Sequence, residues 1–386
     1  MLELVIHSSI QHALLLFIPL LFAVILKLFK IRSWSLLGGL LGGVLLGPAV
    51  FGAFAPDYWE GIFQGGVPAR VQYEQFVQQQ EADYLATKER GISEAVLLQM
   101  KADQQYERAQ EEHAWDVAKW KDQRTLREYV ILLIVLIFLS GNLRNKVRGT
   151  APPLMSLSVG VWAALIPCGI VALLSLWFLD SNLSSALAFG ACLAAGPWTL
   201  ARWEQKAADE SEQGGASLML RCGRVAWLVA SLIALYAVWE VHGAMALVWL
   251  LPLLLLPIMW IIPTKKWKWL TLFVDYGAIP SVMATTLVLI HPIGALSFWA
   301  ILIVIILCAD ARWLGGIIGL GILGGRDSGN AMRLAIPLVD AGISQLCMAA
   351  LLFGVGVLPP SFTLAVLLGA IFLDRTASIR MKFATN

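Results

Sequence analysis

The stretch IPLVDAGISQL, residues 336–346, gathers a carboxylate, a hydroxyl and a carboxamide: Asp340, Ser344 and Gln345. All three present oxygen, the ligand type of hard cations, and a carboxylate can exchange a bound cation for a proton. The stretch sits in an apolar segment long enough to cross a bilayer, where a lone carboxylate costs at least about 2.5–3.5 kcal/mol. An acid kept at that cost is a functional group, or caps a helix start, or is the counter-ion of a buried cation. Arg312, two residues after Asp310, is the basic candidate for that pairing. The residue types leave all three roles open, so the elements around Asp340 have to be placed.

Those elements are membrane spans. Of 386 residues, 59% are hydrophobic and only 14% are charged, which is too apolar for a water-soluble globule. The expected fold is an all-α polytopic membrane protein with about eleven transmembrane helices. They fall near residues 10–29, 35–53, 129–143, 153–179, 184–201, 225–241, 244–262, 269–290, 295–311, 334–357 and 361–374. If the N-terminus lies outside, all 19 Lys and Arg beyond residues 57–128 fall on the cytoplasmic side, Arg312 among them. The charge pattern therefore predicts a bacterial-type plasma (inner) membrane, with the N-terminus and residues 57–128 outside and the C-terminus in the cytoplasm. No charged region precedes the first apolar run, so no cleavable signal peptide is expected.

Three regions follow: spans one and two in 1–56, a polar insertion in 57–128, and the remaining spans in 129–386. The insertion carries 14 Asp or Glu against 9 Lys or Arg. It reads as an extracytoplasmic helical hairpin, with Gly91 ending the first helix and Ser93 capping the second. Tyr106, Ala109, His113, Val117 and Trp120 recur at three- and four-residue steps and form one apolar stripe. The stripe is expected to bury against the other helix of the hairpin, against a protein partner docked on residues 67–124, or against a second copy of the chain. Its net negative charge argues against nucleic acid and anionic lipid as its target, which leaves membrane lipid as the partner of the spans alone.

No phosphate loop, nucleophile elbow, zinc spacing or dinucleotide fingerprint is present, so no enzyme, cofactor or metal centre is expected. The glycine-rich stretches EQGGAS and ILGGRDSGN read as loops. Cys168, Cys192, Cys222, Cys308 and Cys347 lie in or beside spans without ligand spacing and read as packing residues.

Several segments, in order, resemble the monovalent cation:proton antiporter superfamily, the membrane domain of sodium/hydrogen exchangers. LLGGLLGGVLLGPAVFG is similar to its second helix, and ILLIVLIFLSGNLRNK to a helix ending in a Leu-Phe-x-x-Gly-Leu pattern. ALAFGACLAAGPWTLARW is similar to its first broken helix, and GRVAWLVASLIALYAV to the helix after it. The segment from Leu334 to Asp374 resembles the second broken helix and the last helix. The resemblance implies inverted repeats whose two broken helices cross near the bilayer midplane. Here they would break near Gly196-Pro197 and near Pro337 and Ala341-Gly342. It also implies secondary transport, with a monovalent cation and protons as the transported species. The family's cation that holds the broken ends or pairs with the site acid would be Arg312.

The chain departs from the family where the ion and proton usually compete. No Asp or Glu lies between Gly223 and Trp239, and Ser231 is the nearest polar side chain to the matching position. The frequent Thr-Asp-Pro of the first broken helix reads Ala195-Gly196-Pro197. Asp340, with Ser344 and Gln345, is the remaining ion and proton candidate, with Asp310 and Arg312 as charge-compensating residues. Asp275, close to Lys265, Lys266 and Lys268, reads as solvated or paired, and Asp180 and Glu240 as solvated span ends. The competing expectation is a non-exchanging sensor, channel or scaffold subunit that keeps the fold and acts through the hairpin.

Overall fold

Apolar runs become helices along the chain. The structure, a computed structural model, describes residues 2–90, 93–144, 153–197, 210–245, 268–290, 292, 294–324 and 328–385. The first helices are α1 (Leu2–Leu28) and α2 (Trp34–Leu46), and the polar insertion supplies α3 (Val67–Glu89) and α4 (Glu94–Asp122). There follow α5 (Arg124–Arg144), α6 (Pro153–Phe178), α7 (Leu183–Ala194) and α8 (Glu210–His242). Next, α9 (Lys268–Ile290) contains a π turn at Val274–Ala278, and α10 spans Phe298–Gly324. α11 (Ser328–Ala335) runs into a 3-10 turn at Ile336–Val339, before α12 (Gly342–Gly354) and α13 (Pro360–Thr385).

Among the described residues, seven helices are long and apolar enough to cross a membrane, and an eighth span forms if α11, its 3-10 turn and α12 count as one. The chain is therefore an all-helical, multi-pass membrane protein. The two halves of that last pair meet at a 50° bend. Most of the expected span at 244–262, and residues 198–201 of the span at 184–201, lie outside the described residues.

Two helix groups pack side by side. In one, α2 lies between α1 and α9, and α5 joins along α9. Gly38 and Gly42 let α2 meet α1, since a Cβ at Gly38 would stand 2.6 Å from Ala23 and one at Gly42 would stand 2.8 Å from Pro19. In the other group, α6 lies against α7, α8 and α10, and α13 bridges α10 to α12. The seam between the groups runs where α12 meets α5 and α9, and α13 meets α9.

One loop expectation is overturned and another is corrected at its ends. α10 continues through Gly324, thirteen residues past the expected end at 311. Its glycines are packing residues: a Cβ at Gly315 would meet the Trp162 carbonyl at 2.5 Å, and one at Gly319 would meet the Val159 Cα at 2.6 Å. Only residues 325–327 of ILGGRDSGN lie outside the described helices. EQGGAS lies inside α8, which starts well before the expected span at 225–241. Arg312 is consequently mid-helix and fully buried, and not at a solvated helix end.

The insertion is a helical hairpin, but its interface is polar. Gln80 is buried at its centre, donating to Glu107 at 2.9 Å and accepting from Arg108 at 2.8 Å, while Tyr73 stacks on Trp115. The stripe turns outward, with Tyr106 68% and Val117 54% exposed, and Ala109 and His113 exposed beside them. The physical reason is that α4 meets α3 through its other face, where Gln104 and Arg108 bond Gln80 and Trp115 stacks on Tyr73. Ser93 holds the cap position of α4 without a side-chain cap bond, and Gly91 and the Trp120 side chain lie outside the described residues. The hairpin foot is stapled by the Gly66 amide donating to Asp122 at 2.7 Å and by Gln123 donating to the Gln64 carbonyl at 3.0 Å.

Candidate functional site

Pro337 and Ala341-Gly342 mark the bend between α11 and α12. Pro337 lies in the 3-10 turn, and Asp340 follows it in a non-helical conformation (φ −79°, ψ 61°). Its amide returns to the Pro337 carbonyl at 3.2 Å, and Ala341 holds the cap position of α12. Gly342 opens α12 against α13, where a Cβ would stand 2.7 Å from the Ala370 carbonyl. The break thus leaves Asp340 half-buried at the junction of two half-helices.

Asp340 and Ser344 line a cavity of about 290 Å³ at the seam. The α5/α9 side supplies Ser140 and Asp275, with Ser33 and Ser35 from the start of α2. Asp374 of α13 joins Asp340 and Ser344 on the other side. Asp275 lies in the π turn of α9, and the Ser35 hydroxyl donates to its carbonyl at 2.8 Å. Helices are widened at such turns, which recur at functional sites.

The end of α7 is held by Arg312. α7 ends at Ala194, and residues Ala195 to Pro197 are non-helical and buried. Arg312 Nη1 donates to the Ala195 carbonyl at 3.1 Å. Gly196 packs on Gly223, where an added Cβ would come within 2.2 Å of the Gly223 carbonyl, and Pro197 closes on the same glycine.

The sequence candidates therefore separate. Asp340 and Ser344 share the cavity. Gln345 is fully buried beside them but is not part of its lining. Ser231 sits on α8, where its hydroxyl donates to the Trp227 carbonyl of its own helix at 2.9 Å. Asp310 is exposed while Arg312 is buried, so they occupy different faces of α10. Asp374 and Ser140 carried no sequence signal of their own. Asp374 stood at the last position of an expected span, and Ser140 was one small polar residue in a helix tail. Asp275 reads differently once its π turn is seen to face Asp340's cavity.

No family model matches the chain, and no curated protein or solved structure matches it significantly. Its class rests on its own helices: a multi-pass membrane protein with a bent helix pair opening on a cavity that carries carboxylates and hydroxyls among apolar walls.

Proposed function

We propose that the chain is an integral membrane secondary transporter of antiporter fold that exchanges a monovalent cation for a proton at Asp340. The observation that carries this reading is the helix break at Asp340 opening onto a cavity between two helix groups that also holds Asp275, Asp374 and Ser344. Interrupted helices let backbone carbonyls and a carboxylate coexist at membrane depth, where transporters place their ion sites. Asp340 supplies the exchangeable charge and Ser344 an adjacent oxygen. Asp275 and Asp374 are the other titratable groups lining the cavity, so they share its field. Arg312 holds the end of the crossing half-helix and offsets its terminal dipole. The proposed repeats pair α6, α7 and α8 with α10, the α11–α12 pair and α13, moving as a core against α1, α2 and α9. The proposed setting is a bacterial-type inner membrane with the hairpin outside, which turns the cavity toward the cytoplasm.

The test is a thermal-shift titration of the purified protein with Na⁺, Li⁺ and K⁺ across pH. Specific stabilisation by one of them, weaker at low pH, supports competition between cation and proton. Equal melting in all three salts and in choline refutes it.

A second reading is favoured by the outward stripe of α4. There, the protein is a non-exchanging module that docks a protein partner or a second copy on residues 67–124. Replacing residues 67–121 with a short linker separates the readings: retained ion flux supports transport, and loss of a stoichiometric partner with no flux in either form supports docking.

A further inference from the structure

The seam cavity draws its polar groups from both helix groups, and Ser140, like Ser33 beside α2, is a buried hydroxyl in its lining. Ser140 is 1% exposed, and among the described residues its hydroxyl has no hydrogen-bond partner. Some buried hydroxyls return to their own backbone, as Ser175 does to Val171 at 2.7 Å, Ser231 to Trp227 at 2.9 Å and Thr286 to Val282 at 2.7 Å, while Thr285 on α9, away from the cavity, does not. Ser140 instead lines the cavity that also holds Asp275, Asp340 and Asp374. A buried hydroxyl left without a protein partner costs about 1–3 kcal/mol unless something else binds it.

The cavity's size and surroundings narrow what that is. Among the described residues no three acidic, histidine or cysteine side chains come together as a metal cage. At about 290 Å³ the cavity holds roughly ten waters at about 30 Å³ each. It therefore suits a cation that keeps much of its water. The adjoining cavity, which shares Ser33, Trp34 and Asp374, is edged by Lys27, Lys30 and Arg32. Their positive field opposes a divalent ion about twice as strongly as a monovalent one.

We propose that this cavity binds a partly hydrated monovalent cation across the seam, between Ser140 and Asp275 on one wall and Asp340 on the other. The inference rests on the transport reading of Asp340 and adds the opposite wall to it. Because the ligands belong to different helix groups, the cation binds best when the walls face each other. Its occupancy then favours this arrangement, by as much as its affinity differs between arrangements. Asp275 and Ser140 are released when the core moves, which couples cation binding to the motion of the seam.

The experiment titrates the full-length protein with NaCl, LiCl or KCl against choline chloride at constant ionic strength. It reads melting temperature and hydrogen exchange at residues 137–141 and 340–344. Wild type is expected to melt higher in one salt and to exchange more slowly in both segments. Asp275→Asn is expected to raise the half-saturating concentration about tenfold, equivalent to about 1.4 kcal/mol. Ser140→Ala, a small change that leaves the fold intact, is expected to raise it about threefold, and Glu240→Gln, outside the cavity, to leave it unchanged. A response lost in Asp340→Asn but wild-type in both Asp275→Asn and Ser140→Ala overturns the seam site and leaves the Asp340 reading standing. A response absent from wild type, or intact in Asp340→Asn, overturns both.

Discussion

Arg312, in the middle of α10, donates to the carbonyl of Ala195, 117 positions earlier in the chain, while fully buried. Ala195 follows the last residue of α7, so its carbonyl has no next turn to accept from. The bond joins a cation to the negative C-terminal end of α7. A hydrogen bond to a charged group contributes about 1.5–3 kcal/mol, and a buried group stripped of its partner loses more than that bond.

Arg312→Gln is accordingly expected to lower stability by about 2–4 kcal/mol, read as a lower melting temperature in detergent. Arg312→Lys keeps the charge but loses the planar fork, and should recover part of the loss. Wild-type melting in Arg312→Gln would show that the bond does not hold the end of α7.

The glycines of α10 predict a sharp contrast. Gly319→Val places side-chain atoms where a Cβ alone would stand 2.6 Å from the Val159 Cα, so α6 and α10 must separate. Overpacking of this kind costs about 1–3 kcal/mol or more. Gly321→Ala meets nothing within 4 Å and should be neutral or mildly stabilising, since alanine favours helix by about 1 kcal/mol. Equal melting temperatures for the two variants would contradict the packing described for this helix pair.

At the hairpin foot, Asp122→Ala removes the acceptor of the Gly66 amide. The loss of about 1–3 kcal/mol is local, so hydrogen exchange should quicken at residues 64–68 and 120–124. Exchange there as slow as in wild type would mean the staple contributes little.

The outward face of α4 separates stability from docking. Tyr106→Glu with Val117→Glu changes exposed positions and should leave melting within about 0.5 kcal/mol of wild type. A drop in melting temperature would mean that the face is buried in the isolated protein.

What the sequence made legible follows from physics of different range. Apolar length announced the spans, and the polar run of 57–128 announced the hairpin, because both are local properties. Asp340 was visible as a charge in an apolar run, and Pro337 and Gly342 marked the break beside it. The glycines from Gly315 to Gly324 were ambiguous, since glycine serves both turns and close helix contacts, and only the facing Trp162 and Val159 decide between them. The stripe on α4 was readable, but its direction depended on α3, which pairs with the opposite face of α4 through Gln80 and Tyr73. Ser140, Asp275 and Asp374 meet Asp340 from three separate elements, and no spacing along one helix records that meeting.

The central claim is that Asp340 carries the exchange, and flux in proteoliposomes tests it most directly. The protein reconstituted with a pH gradient is expected to move one of Na⁺, Li⁺ or K⁺ against protons, and Asp340→Asn, inserted equally well, is expected to abolish that pH-dependent flux. Unchanged flux in Asp340→Asn would contradict the account.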